Sequence, residues 1–335
     1  MTNMQLGDLA QSYQLRSQNA LLKREIADIT QELSTGRTGD LAGAVRANLA
    51  PIAGIEHDLK RLDGYETTVS ETSLLADTLQ NTLERVQQES QELSSALLLA
   101  GNTYNPTIVK SASMNARESF EAMVATLGTQ VAGRSLLSGV ATDQPALEQA
   151  QVILSAVESA ASMATTAADV ADAVDAWFAP GGDYDTLAYT GSSTKLSAVA
   201  VGANAEVVLD FTANDAGIRD VLAAAALGAL VAEGVLSGDP AEQVELVAIA
   251  GERAMSAQAG LTSMRADLGA KQAALERAEQ TNSASRFALE MSRYEIISVD
   301  PYESATRLEA VQIQLESLYA ITARLGRMSL VDYMR

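Results

Sequence analysis

The residue types that do chemistry are few in this chain, and their spacing gives them little to work with. There is a single histidine, His57. A general base or a metal ligand needs partners at defined positions, so an isolated histidine in a connector or helix start reads as a surface residue. With no cysteine, disulfides, thiolate nucleophiles and Cys/His zinc sites are excluded. Carboxylates are abundant, but a pair such as Glu89 and Glu92 on one helix face reads as solvated surface. Gly36-Arg37-Thr38-Gly39 lacks the lysine and the spacing of a phosphate loop. The stretch from Gly133 to Gly139 is not a dinucleotide fingerprint, because no clear strand precedes it. Trp177 and Phe178 close a helix and read as core packing. No catalytic site, cofactor or metal is expected, and the chain does not read as an enzyme.

What remains is helix, and its composition says how that helix is used. The chain has 335 residues, 47% hydrophobic but only 4% aromatic. Its apolar content is mostly Ala, Leu and Val, which favours long helices packed closely over a bulky core. The formal net charge is −20. Such a surface repels nucleic acid and anionic membranes, so neither is expected as a partner. Like-charged copies also repel, so any self-association must be driven by apolar contact and helped by salt. No secretory h-region opens the sequence, and Val221–Val235 is too short and too Ala-rich to span a membrane.

The apolar pattern places the elements. Leu15, Asn19, Leu22, Ile26, Ile29 and Leu33 alternate by four and three, which is a coiled-coil seam, and Asn19 on it suits register selection. Gly36 offers the stop, and residues 36–57 read as a loop-rich connector. The seam resumes at Leu62 and runs without a slip through Val69, Ala76, Leu83 and Val86 to Leu97. Pro106 opens a helix expected to reach about Ala132, and one or two Ala-rich helices follow over 146–178. Leu196–Val201 and Glu206–Phe211 are the only runs with a convincing β pattern, joined by a hairpin loop at Gly202-Ala203-Asn204. Helix returns near Asp215. Asp239-Pro240-Ala241-Glu242 starts another helix, with Asp as N-cap and Glu reaching back. Its seam runs from Leu261 through Leu268, Lys271, Leu275, Asn282 and Ser285 to Leu289. The last helix starts at Asp300-Pro301 and carries Leu308, Val311, Leu315, Leu318, Leu325 and Leu330.

This layout predicts a mainly α fold. The N- and C-terminal parts form a long antiparallel helical coiled coil or bundle, and a small α+β module is inserted in the middle. The expected division is residues 1–40 with 298–335 as a terminal coiled-coil domain, 41–140 with 216–297 as a helical bundle, and 141–215 as a projecting module. The expected assembly interface is Leu15, Asn19, Leu22, Ile26, Ile29, Leu33, Leu308, Val311, Leu315, Leu318, Leu325 and Leu330.

Four passages then carry a family likeness. Gln31-Glu32-Leu33-Ser34-Thr35-Gly36-Arg37 resembles the flagellin-type N-terminal signature, and Thr306-Arg307-Leu308 with Ser329–Met334 resembles the closing helix and tail. Gly133–Gly139 with Thr142-Asp143-Gln144-Pro145 is similar to a passage of the hook–filament junction proteins, although Ser135 and Leu137 stand where aromatics are usual. Tyr189-Thr190-Gly191 is similar to a short element ahead of that group's β module. The chain therefore resembles the flagellin superfamily, and most of all its hook-associated junction branch. The resemblance implies a secreted structural subunit of the bacterial flagellum, exported unfolded through the type III channel, with ends that order on assembly. The implied partners are copies of itself in a ring or helical array, the other hook-associated junction protein, flagellin and a cytoplasmic export chaperone. A filament-forming flagellin is the alternative within the superfamily, and an intracellular coiled-coil adaptor is the alternative outside it.

Overall fold

The protein is described from a computed structural model. It covers the backbone of residues 2–44 and 48–333, with side chains within 13–43 and 48–324. The elements are α1 (Thr2–Thr35), α2 (Leu41–Ala44), α3 (Ala50–Gly101), α4 (Pro106–Leu127), β1 (Gln130–Val131), β2 (Arg134–Ser135), α5 (Ala150–Ala161), α6 (Ala167–Phe178), a π turn (Tyr184–Ala188), β3 (Val199–Gly202), β4 (Ala205–Val207), α7 (Ala216–Ala229), α8 (Pro240–Ile297) and α9 (Pro301–Tyr333). The fold is mainly α, with two small antiparallel hairpins among the described residues, β1–β2 and β3–β4. The chain divides into two compact units, residues 1–63 with 283–335, and residues 64–282.

In the unit spanning 64–282, the α3 pattern is realised from Val69 onward, and Tyr65 before it is partly buried. Val69, Ala76, Leu79, Leu83, Val86, Leu93 and Leu97 are all buried. The two hydroxyl positions on that stripe are also satisfied: Thr72 Oγ1 donates to its own helix at Thr68 O (2.7 Å), and Ser90 Oγ to Ala254 O on α8 (3.5 Å). Helices α3 and α8 run antiparallel, since Ser94 Oγ bonds Gly251 O and the Gln272 amide bonds Asp77. Small residues set the close approach. A Cβ on Gly251 would lie 2.9 Å from the Leu98 backbone nitrogen, and one on Gly101 would lie 2.7 Å from Ala248 Cβ. The α8 stripe is less regular than expected. Lys271, at a seam position, carries its ammonium out to Val208 O and the Asp210 carboxylate, both at 2.7 Å. Ser285 is exposed.

Several boundaries differ from the sequence expectation, each for a local reason. Helix α3 starts at Ala50 and not after residue 57, because Pro51 falls in its first turn, where no amide hydrogen is required. Helix α4 ends at Leu127, and a hairpin follows whose turn uses Ala132 (φ 50°) and Gly133 (φ 77°). Asp239 caps α8 as expected, accepting from Ala241 N (3.0 Å) and Glu242 N (3.3 Å). Glu242 does not reach back; its carboxylate accepts from Ala167 N (2.6 Å) at the start of α6.

The two middle passages singled out in the sequence lie side by side. Ser192 N donates to Ser138 O (2.9 Å), and Val140 N to Thr194 O (3.1 Å). Gly139 (φ 62°) has no room for a side chain, because a Cβ would sit 2.5 Å from Thr194 O. Tyr189 pairs with Leu147 in an isolated bridge, and its hydroxyl donates to Ser192 O (2.8 Å). Burial pushes that phenol up to about 12. Tyr184 is fully buried, donates to Ala213 O (2.7 Å) and packs with Trp177 and Phe178. The core is continuous from the α3 stripe through Leu137, Tyr184, Val201 and Phe211 to α7 and α8.

Candidate assembly interface

His57 lies exposed in α3. Glu92 is solvated, but Glu89 is not simple surface: it accepts from Ser119 Oγ (2.7 Å) and ties α3 to α4. Among the described residues, no group of His, Cys, Asp and Glu could hold a metal, and no helix is long and apolar enough to cross a membrane.

The feature that brings distant sequence together is the pairing of the two chain ends. Helix α1 packs on α9. The pair is antiparallel, because the end of α1 meets the start of α9. Arg37 forms an antiparallel bridge with Ser298, Thr38 N donates to Ile297 O (2.8 Å), and Val299 N donates to Gly36 O (3.2 Å). On α1, Ile29 is buried, and Leu15, Asn19, Leu22, Ile26 and Leu33 are partly buried. On α9, Val311 and Leu318 are buried, and Leu308 and Leu315 are partly buried. Apart from Glu32, which is also partly buried, the residues between them are exposed on α1 from Leu15 to Leu33 and on α9 from Leu308 to Leu318. The spacing therefore selected the facing stripes. The side chains of Leu325 and Leu330 lie outside the described residues.

Asn19 is used across the pair. Hydrogen bonds from Asn19 and Lys23 hold the exposed Tyr319 phenol below its ordinary pKa. Tyr319 was not apparent from the sequence, because it lies one residue beyond the seam position Leu318 and no periodicity marks it.

The Glu32–Gly39 passage closes the helix and turns the chain. Gly36 takes a left-handed conformation (φ 69°) and donates to Glu32 O (2.7 Å). The Glu32 carboxylate then accepts from Thr38 Oγ1 (3.1 Å) and Gly39 N (3.3 Å). The signature-like residues thus act as a joint that sets α1 against α9. An open groove of about 1240 Å³ beside the joint is lined by Arg24, Arg37 and Arg307 against Glu25, Asp28, Glu32 and Asp40. Its charges roughly balance, and it holds no nucleophile–base pair.

Residues 252–334 match the family of the bacterial flagellin C-terminal helical region. The superfamily resemblance read from the sequence is borne out. Solved structures matching the chain include one from Vibrio parahaemolyticus named as a flagellar hook-associated protein, with TM-score 0.52 and 14% identity, covering 72% of this chain and 94% of that one. At that identity the likeness speaks for a shared fold. No curated protein matches the chain.

Proposed function

We propose that this protein is a structural subunit of the bacterial flagellum that joins hook to filament, is exported unfolded, and assembles through its terminal helices. The observation that carries the reading is the antiparallel pairing of α1 and α9, which places both chain ends in one narrow two-helix seam. Two helices cover only one stripe each, so the remaining faces are available to neighbouring copies. The flagellin match at the C-terminal helices and the hook-associated name of the structural neighbour support the same reading. The role is structural, and its partners are copies of itself, the other junction protein, flagellin and an export chaperone. The expected three-part division, with 141–215 directed outward, belongs to this proposal.

The seam is tested by Ile29→Asp and Leu315→Asp in cells, with Ile29→Leu as the conservative variant. Filament attachment is expected to fail in the first two and persist in the third. Attachment in all three would remove the seam from the mechanism. A filament-forming flagellin is the second reading, because the family match is to flagellin itself. Deletion separates the two: unpolymerised flagellin in the medium supports the junction, and loss of the chain's own filament supports the alternative.

A further inference from the structure

We propose that residues 195–212, which carry the β3–β4 hairpin, form a strap that swings off α8 as one body while the helices beneath it stay folded. The device lies wholly within the unit spanning 64–282, so it stands apart from the assembly reading above. Both feet of the strap rest on one short passage. Val140 N donates to Thr194 O (3.1 Å), and Ala213 N donates to Leu137 O (2.9 Å). Lys195 adds an ion pair to Asp215 beside the second foot (2.8 Å). Between the feet the regular structure is a hairpin of two short strands, which is marginal without something to pack on.

Two polar residues of α8 hold the hairpin in place. Lys271 and Asn282 occupy seam positions eleven residues, about three turns, apart. Lys271 Nζ donates to Val208 O and to Asp210 Oδ1, both at 2.7 Å, and lies 5.2 Å from the centre of the Phe211 ring. Asn282 Nδ2 donates to Val201 O (2.8 Å). Leu275 and Ala278 lie between these latches on the same row of α8 and are buried, as are Val201, Val207 and Phe211 of the strap.

The chemistry of the latches suits release. A seam built for permanent cover would carry apolar residues at both positions. When the strap lifts, Lys271, Asn282 and the two carbonyls exchange their bonds for bonds to water, so no polar group is orphaned. The remaining cost is the exposure of a few apolar side chains, Leu275 and Ala278 among them, which keeps opening well below the cost of unfolding the whole unit. The strap is also undercut. An open groove of about 800 Å³ is lined by Glu206, Val208 and Asp210 of the strap and by Asp267, Ala270 and Ala274 of α8. Lys271 lines the same groove and is part-exposed, so water reaches that latch with the strap closed.

The chain has no native cysteine, so one introduced thiol reports opening. Val201→Cys places it on the buried side of the strap, and Val86→Cys places it at a buried seam position of α3. Both full-length variants are labelled with excess iodoacetamide under native conditions, each rate taken relative to the same thiol in urea. Each is then repeated with Lys271→Met, which keeps the apolar stem and removes the ammonium. Labelling at 201 is expected to outpace labelling at 86, and to rise about tenfold with Lys271→Met while labelling at 86 stays unchanged. Equal rates at the two positions, or a rise shared by both, overturns the strap, because it would then leave α8 only when the whole unit unfolds. A rate at 201 unmoved by Lys271→Met overturns the latch. The comparison of 201 with 86 needs no latch variant, so it decides the proposal even where Lys271→Met prevents folding.

Discussion

Ser113 shows how much of this fold hangs on single polar groups. It is buried on α4, where its hydroxyl donates to Gly228 O (2.6 Å) and accepts from Ala232 N (2.8 Å). It therefore ties the last turn of α7 and the residues just after it to α4. Ser113→Ala leaves the Gly228 carbonyl and the Ala232 amide without that partner, and is expected to cost about 2 kcal/mol. The check is the urea midpoint of the purified chain; an unchanged midpoint would show that neither bond contributes. Nothing in the sequence marks Ser113, because a small hydroxyl in a helix gives no periodic signal. Glu242 teaches the same lesson. Its spacing from Asp239 is that of a capping box, yet its carboxylate accepts from the Ala167 amide at the start of α6. Local spacing can show that a helix starts there, but not which orphan amide a flexible carboxylate will choose.

At the level of elements, the seams were the most legible part of the chain. A 3/4 alternation sustained over α3 leaves one way to bury the stripe, and every aliphatic seam position from Val69 to Leu97 is buried, while Leu74 off the seam is exposed. The α8 seam was legible only in part. Lys271 holds a seam position, but its long stem lets the ammonium reach Asp210 beyond the stripe. That contact lowers the Asp210 pKa, chiefly through the Lys271 hydrogen bond. The stability it contributes is present above the ordinary carboxylate pKa and lost as pH falls through the folded value. The joint after α1 gives a sharper prediction. No atom would oppose a Cβ at Gly36, so Gly36→Val acts through its left-handed backbone alone and costs about 1–2 kcal/mol. Amide exchange at Thr38 and Val299, whose bonds cross the joint, should accelerate about tenfold. Unchanged protection at both would show that the joint tolerates another conformation.

For the whole molecule, the deciding quantity is where the charge sits. The acidity of the chain is concentrated in residues 64–282, and the unit holding both chain ends is nearly neutral. On the proposed assembly through the terminal helices, most of the repulsion between copies comes from residues outside the unit that makes the contacts. Raising ionic strength from about 0.01 M to about 0.1 M shortens the Debye length from about 30 to about 10 Å. The assembled fraction is expected to rise across that range at neutral pH, as read by sedimentation. A fraction that falls with salt would mean that attraction between opposite charges, and not apolar contact, carries assembly.

By itself the sequence determined that this is a helical protein with no constellation of catalytic groups, that its seams lie at Leu15–Leu33, Leu62–Leu97 and Leu308–Leu318, and that its ends resemble the flagellin superfamily. These are properties of periodicity, composition and short contiguous motifs, which need no knowledge of distant neighbours. Tertiary structure alone decided that Gly139 lies against Thr194, that Glu89 bonds Ser119, that Asn19 meets Tyr319, and that Phe287, Met291 and Tyr294 stay uncovered. Each depends on which residues far apart in sequence are brought within a few ångströms. That is set by the closure of the two chain ends on each other and by the shared core of residues 64–282, not by any pattern within a single element.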